Sequence, residues 1–360
     1  MLNCDAGARV VYAHRPRAVG AGIELDHGLG SSHSPPSERL RALSSRPPTT
    51  GLIRRRITDY CAHQSPSLAN PMDTLSPHSP PPHSAATRDD RGLDRALEIF
   101  AEYDTARLLA YRHTGDPSRV AIEKIGGSLA LRFTEVGYFN RVYHFDSNTL
   151  EHMEELAAFY EPVEQPVQLL AAAGTDLAPH TRELEAFRFA PGPSYARVGT
   201  DLSDLPTAAH ELPAGVEVVT PGPEDQETIL DVYLRGFGAE KANIEAAKIN
   251  MRRLFNLPNL YFSLGRVDGT PVGLGMLYVS GQQAYLCGGT TLPSHGRRGC
   301  HTALIRHRLD QARQLGATRA VSWAYDKSES QKNMVAQGLN TLAVDRAWDR
   351  PWTSSGPHPE

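Results

Sequence analysis

Four cysteines, Cys4, Cys61, Cys287 and Cys300, are scattered over 360 residues without a single CxxC pair. That spacing excludes a disulfide framework and a cysteine-ligated zinc site, and it leaves a reducing cytoplasm as the simplest compartment. No metal site is expected. No apolar run approaches the roughly 20 residues that span a bilayer, and no compact apolar segment with a small-residue cleavage site opens the chain. Neither membrane insertion nor export is expected. The net charge is only -4, so neither nucleic acid nor an anionic membrane is an expected partner. Neither the GxxxxGK[ST] loop of nucleoside triphosphate enzymes nor the GxGxxG fingerprint of dinucleotide enzymes occurs.

Hydrophobic residues make up 40% and charged residues 22%, enough for a buried core over most of the length. The exception is 1–88, where "SSHSPPSERL", "SSRPPTT" and "SPHSPPPHSAAT" concentrate Pro, Ser, His and Arg. Such a composition buries too little apolar surface to offset the entropy of ordering, so a disordered tail is predicted there and again at 351–360. Met72, just before the last proline cluster, is an alternative translation start.

From Asp89 the pattern turns globular. "LDRALEIFAEYDTARLLAYR" places Leu93, Leu97, Phe100, Tyr103 and Leu108 at helical spacing. "GSLALRF" and "NRVYHF" alternate as strands do, and Asn148 or Thr149 is the expected cap of the helix that follows. "VQLLAAA", "LAPHTRELEAF" and "SYARV" continue as strand, helix and strand, with no glycine-rich turn opening any helix of this 89–198 region. Gly199 to Gly215 has the composition of a linker.

Over 216–350 strand "VEVV" leads into a helix that buries Ile229, Leu230, Val232 and Tyr233. A second helix follows, with Ile244, Ala247, Met251, Leu254 and Phe255 on one face. "LYFSLGRV" and "TPVGLGMLYV" make a hairpin around Asp268-Gly269, since Asp-Gly readily supplies positive φ. Strand "QQAYLCGGTTL" then breaks at Pro293 and passes through Gly296, Arg297, Arg298 and Gly299 into a helix that presents Ala303, Leu304, Arg308 with its aliphatic stem, Leu309, Ala312 and Leu315 to the sheet. Glycines permit the sharp turn, the helix N-terminus offers unpaired N–H groups and a positive dipole end, and arginines add forked donors. The arrangement suits a diphosphate.

The segment from Val216 to about Trp348 resembles the GNAT superfamily of acyl-CoA-dependent N-acyltransferases, on "AYLCGGTTLPSHGRRGCHTALIRHRLDQARQLGA" followed by "SESQKNMVAQGL". The central glycine of the family's [QR]xxGx[GA] turn is Gly299; Gly296 and His301 stand at its ends. The resemblance implies an α/β fold with a mixed sheet and acetyl-CoA as co-substrate, without a metal. It also implies that Leu292 offers backbone groups to the pantetheine arm, that Arg297, Arg298, Gly299, Cys300, His301 and Thr302 wrap the pyrophosphate, and that Ser330 and Asn333 face the cofactor near its thioester. Two parallel strands, the one ending at Leu292 and "RAVSWAY", are expected to splay where the arm inserts. Met334 occupies the place of the tyrosine that protonates the leaving thiolate in many members. Tyr325 or Tyr285 is the expected substitute, with water, Glu240 or Glu245 as base. Region 89–198 then reads as a second, degenerate copy of the fold. The implied activity is transfer of an acetyl group to a primary amine of a small molecule or peptide, not of an aminoacyl group. The rival is a CoA-binding sensor without turnover.

Overall fold

The structure, a computed structural model, describes residues 88–206, 211–239 and 244–351, with backbone alone for 88–95, 114 and 245–246. All of these belong to one compact unit; the other unit, Pro16–Ala85, lies outside the described residues, as do residues 1–87 of the expected tail, Met72 among them, and residues 352–360.

Helix α1 (Arg88–Thr114) comes first, followed by β1 (Val120–Ile125), β2 (Ser128–Phe133), β3 (Arg141–Phe145), α2 (Ser147–Leu150), α3 (Met153–Phe159), β4 (Val167–Ala171), α4 (Thr181–Ala186) and β5 (Ala190–Asp201). The second half runs β6 (Val216–Val219), α5 (Gln226–Gly236), α6 (Ile244–Met251), β7 (Leu260–Val267), β8 (Thr270–Ser280), β9 (Gln283–Thr291), α7 (Cys300–Gln314), β10 (Arg319–Tyr325), α8 (Glu329–Ala336) and β11 (Asn340–Arg350). The fold class is mixed α/β, as the residue patterns predict. Four local expectations change. Strand β1 was not foreseen, because its exposed Glu123 and Lys124 hide the alternation. The cap of α2 is Asp146, whose carboxylate accepts the Thr149 N–H at 2.9 Å. Strand β5 runs on to Asp201, so Gly199 lies inside the sheet. Leu315 is exposed, since the helix ends one residue earlier.

Among the described residues the eleven strands form one sheet in the order β1-β2-β3-β4-β11-β5-β10-β9-β8-β7-β6. The centre of that order is an exchange. β11, the last strand of the second half, sits between β4 and β5 of the first, and β5, the last strand of the first half, sits between β10 and β11 of the second. Outward from this seam the halves repeat each other: β3 is parallel to β4, and β9 is parallel to β10.

Helix α1 lies across one face and touches both halves. Its buried positions Leu97, Phe100, Tyr103, Asp104, Arg107 and Tyr111 follow helical spacing. Phe100 packs on Tyr285 and Trp323 at 4.5 and 5.4 Å between centroids, while Tyr111 packs on Phe133 at 5.0 Å. Glu102 accepts from Tyr278 and Ser280 of β8 at 2.9 and 2.7 Å. On the opposite face α7 covers β7, β8 and β9, burying Ala303, Leu304, Ile305, Leu309 and Ala312. Each fully buried leucine or isoleucine contributes roughly 1.5–3 kcal/mol. Among the described residues no helix is long and apolar enough to cross a membrane.

Candidate active site

The parallel pair β9 and β10 is joined only at Arg319–Gln283, Ala320–Ala284 and Val321–Tyr285. Beyond that point β9 continues to Thr291 and β10 to Tyr325 without pairing to each other, which leaves a notch with a free backbone edge on each side. The Ser322 hydroxyl donates to the Leu286 carbonyl at 2.7 Å and closes the apex. A β-bulge sits on the β9 side of the notch: Met276 of β8 faces Cys287, Leu274 faces Thr290, and Gly288 and Gly289 fall between. Gly288 takes φ +52, which glycine adopts without strain.

The notch leads to the turn into α7. Arg297 and Gly299 both have left-handed backbone, at φ 62 and 83, the kind of geometry that gathers N–H groups into an anion-binding concavity. The first bond of the helix runs from Ala303 N–H to Gly299 C=O at 2.9 Å, and no side chain caps the end. The N–H groups of Cys300, His301 and Thr302 thus lie outside the helix's own ladder. Arg297 is exposed and forms no ion pair among the described residues; Arg298 pairs with Asp268 of the β7–β8 turn at 2.8 Å. Both partners of that pair are exposed, so it holds the arginine by at most about 1 kcal/mol.

Cys300 contributes backbone only. Its thiol is buried against glycine positions of β7 and β8, where a Cβ at Gly265 or Gly273 would lie 2.5 or 2.7 Å from Sγ. Burial raises its pKa, and burial pushes the Cys287 thiol up to about 12. Neither is a ready nucleophile. His301 is half-buried, and burial together with Arg308 lowers it to about 4, so the imidazole is neutral at pH 7.

Leu292 donates its N–H to Val272 at 2.7 Å and accepts from His295 at 2.9 Å. Its backbone therefore faces β8. Backbone groups alternate along a strand, so Thr291 is the neighbour whose N–H and C=O face the notch. On the far side, Ser330 and Asn333 are half-buried on α8, three residues apart and so on one helix face, whereas Met334 is buried in the core. Tyr325 is exposed at the open end of β10, with its ring stacked on Tyr195 at 5.1 Å, and Tyr195 stacks on Trp323 at 4.8 Å. Gln168 of β4 donates to the Tyr195 hydroxyl at 3.3 Å and to Asp349 of β11 at 2.9 Å. Tyr285 instead lies under α1, and burial raises its hydroxyl well above the ordinary range. Glu240 and the side chain of Glu245 lie outside the described residues.

The first half closes both features. β3 and β4 stay paired to Phe145–Ala171, with a further bond from Ala172 N–H to Phe145 C=O at 2.9 Å. The helix that follows is capped by the chain's own carboxylate, Asp146. One half has an open notch leading to an uncapped helix; in the other the strands stay paired and the helix that follows β3 is capped.

Residues 227–339 match the Acetyltransferase (GNAT) family. The stretch is a GNAT domain. Solved structures with similarity to the chain include a GCN5-related N-acetyltransferase from Kribbella flavida, at 19% identity and TM-score 0.48, covering 72% of this chain and 97% of that one. A GCN5-related N-acetyltransferase from Sphaerobacter thermophilus is 15% identical at TM-score 0.47, covering 64% and 76%. A tandem GNAT protein from the clavulanic acid biosynthesis pathway is 12% identical at TM-score 0.48, covering 76% and 98%. No curated protein matches the chain in sequence.

Sequence reasoning missed Thr291 and Ser322 at the notch and the first-half residues Tyr195 and Gln168 beside it. Thr291 was legible only through register, which a single strand does not reveal. Tyr195 reaches the notch through the strand exchange, for which the linear sequence carries no signal.

Proposed function

We propose that the chain is an N-acetyltransferase that moves the acetyl group of acetyl-CoA to a primary amine of a small molecule or peptide by direct attack within one complex. The observation that carries this reading is the open notch between β9 and β10, ending at an uncapped α7 N-terminus. The residues present fit the cofactor: a left-handed glycine turn with free N–H groups suits a diphosphate, and two unpaired strand edges suit an amide-bearing arm. The N–H groups of Cys300, His301 and Thr302, with Arg297 and Arg298, hold the diphosphate. The β9 edge at Thr291 would take the arm, with Ser330 and Asn333 on the far side. When bound, acetyl-CoA supplies an activated thioester. The chain's part is to align it with an amine, which removes much of the barrier.

Tyr325, exposed at the mouth and propped by Tyr195, is the group placed to give a proton to the departing sulfur, in preference to buried Tyr285. A second reading, a CoA-binding sensor without turnover, draws on Met334, whose thioether can neither donate nor accept a proton where many GNAT enzymes carry a tyrosine. Calorimetric titration of acetyl-CoA into the full chain, followed by a coloured-thiol assay over a panel of amines, separates the two. Micromolar binding with amine-dependent thiol release supports the enzyme, binding without release supports the sensor, and no binding in a folded sample overturns both.

A further inference from the structure

Arg308 stands two turns into α7 and is 2% exposed. Its stem was expected to face the sheet, but the whole guanidinium is buried there. No ion pair among the described residues includes it. Nε donates to the Leu304 carbonyl at 3.0 Å, and Nη1 donates to the carbonyls of Met276 at 3.2 Å and Cys287 at 3.1 Å. Those last two residues pair with each other at the start of the β9 bulge. The space is made by glycine: a Cβ on Gly275 would lie 2.7 Å from Nε, and one on Gly289 would lie 3.1 Å from Nη2.

Packing alone does not call for this charge. Leu304, Leu309 and Ala312 fill the same helix face with apolar side chains, and a buried cation without an anion is costly, often more so than an apolar group of equal volume. The groups that face Arg308 are Cys287 and Tyr285 from β9 and His301 and His307 from its own helix, none of them anionic at neutral pH. Burial lowers the guanidinium to about 10, which keeps it charged at pH 7. Gly289, against which Nη2 rests, belongs to the stretch of β9 that borders the notch.

We infer that Arg308 is a positioning residue of the transfer site: it pins the β9 bulge through the Met276 and Cys287 carbonyls and lends a buried positive charge to the notch, favouring negative charge on whatever sulfur or oxygen reacts there. The inference rests on the acetyltransferase reading and assigns it an electrostatic element that α7 supplies from beneath the sheet.

The test uses the full chain with CoA as the probe. The bound thiol is titrated by the ultraviolet absorbance of its thiolate, as a difference spectrum with and without CoA, in wild type, Arg308→Met and Arg308→Lys. Arg308→Met is expected to bind CoA within threefold of wild type and to melt lower, because the Met276 and Cys287 carbonyls lose their donor, and to titrate the bound thiol about one pH unit higher, the effect of a unit charge at ~10 Å in an effective dielectric of about 20. Arg308→Lys is expected to restore most of that difference. A purely structural arginine gives the lower melting temperature with an unchanged thiol titration, and that result overturns the inference. If Arg308→Met does not fold, Arg308→Gln, which keeps donors for the carbonyls and removes the charge, is read the same way. Failure of wild type to bind CoA overturns the acetyltransferase reading and this inference with it; binding without a thiol difference between the variants overturns the inference alone.

Discussion

His301, the second residue of α7, holds a neutral imidazole because burial, and after it the Arg308 charge, opposes a further proton. Its pKa is about 4 in the folded chain and about 6.5 unfolded. Above pH 6.5 both states are neutral and the residue adds no pH dependence. Between 6.5 and 4 the unfolded state takes up a proton that the folded state refuses, so stability falls as pH falls. His307, lowered by burial, acts in the same direction. The unfolding free energy from urea titration is expected to drop between pH 7 and 5, by about 1–2 kcal/mol for His301, and His301→Asn should flatten part of that slope. Gly299 offers a second test: at φ 83, with a Cβ meeting Pro213 Cγ at 2.5 Å, it admits no side chain without strain. Gly299→Glu would give α7 the self-supplied carboxylate that Asp146 gives α2. The expected result is loss of acetyl-CoA binding by calorimetry in a protein that still melts cooperatively. Tyr325→Phe is expected to lower kcat about 10²-fold with KM nearly unchanged, read from the initial rate of thiol release; an unaltered rate removes the tyrosine from the proton path.

Helix α7 reaches the sheet because β7 and β8 present glycine to it. Gly265→Ala forces a Cβ toward the Cys300 sulfur and is expected to cost about 1–3 kcal/mol; Cys300→Ala in the same chain should recover part of that, a coupling that a double-mutant cycle by urea denaturation measures directly. Most elements could be read from residue pattern. The Asp268-Gly269 turn has both residues at positive φ, 50 and 76, as its dipeptide predicts. The start of α7 at Cys300 follows from the glycine turn. What stayed hidden has physical reasons. Charged Glu123 and Lys124 mask β1; Asp146, two and three residues before the expected Asn148 and Thr149, caps α2; and Leu292 turned its backbone away from the notch because register, not composition, decides which edge a residue faces. The buried guanidinium of Arg308 could not be told from a snorkelling stem, since both have the same helical phase.

Across the molecule, the exchange of β5 and β11 makes each half the completion of the other. Without β5, strand β10 loses the partner it pairs with along its whole length, and Val198, Leu202 and Leu205 leave the core beneath α7 and α8. The ion pair of Arg197 with Asp345 joins the exchanged strands. A 211–360 piece is therefore expected not to fold cooperatively alone, by circular dichroism, and to recover acetyl-CoA binding when mixed with an 88–206 piece. An independently folded, CoA-binding 211–360 piece would contradict this. The exchange also sets an order in time. Gln168 of β4 and Asp349 of β11, bonded at 2.9 Å, are 181 residues apart, and a ribosome adding about 5–20 residues per second needs roughly 10–40 s to cover that interval. During it the first half waits on the nascent chain with the edges of β4 and β5 both open. Its hold on a single register then depends on synthesis finishing before those edges find another strand.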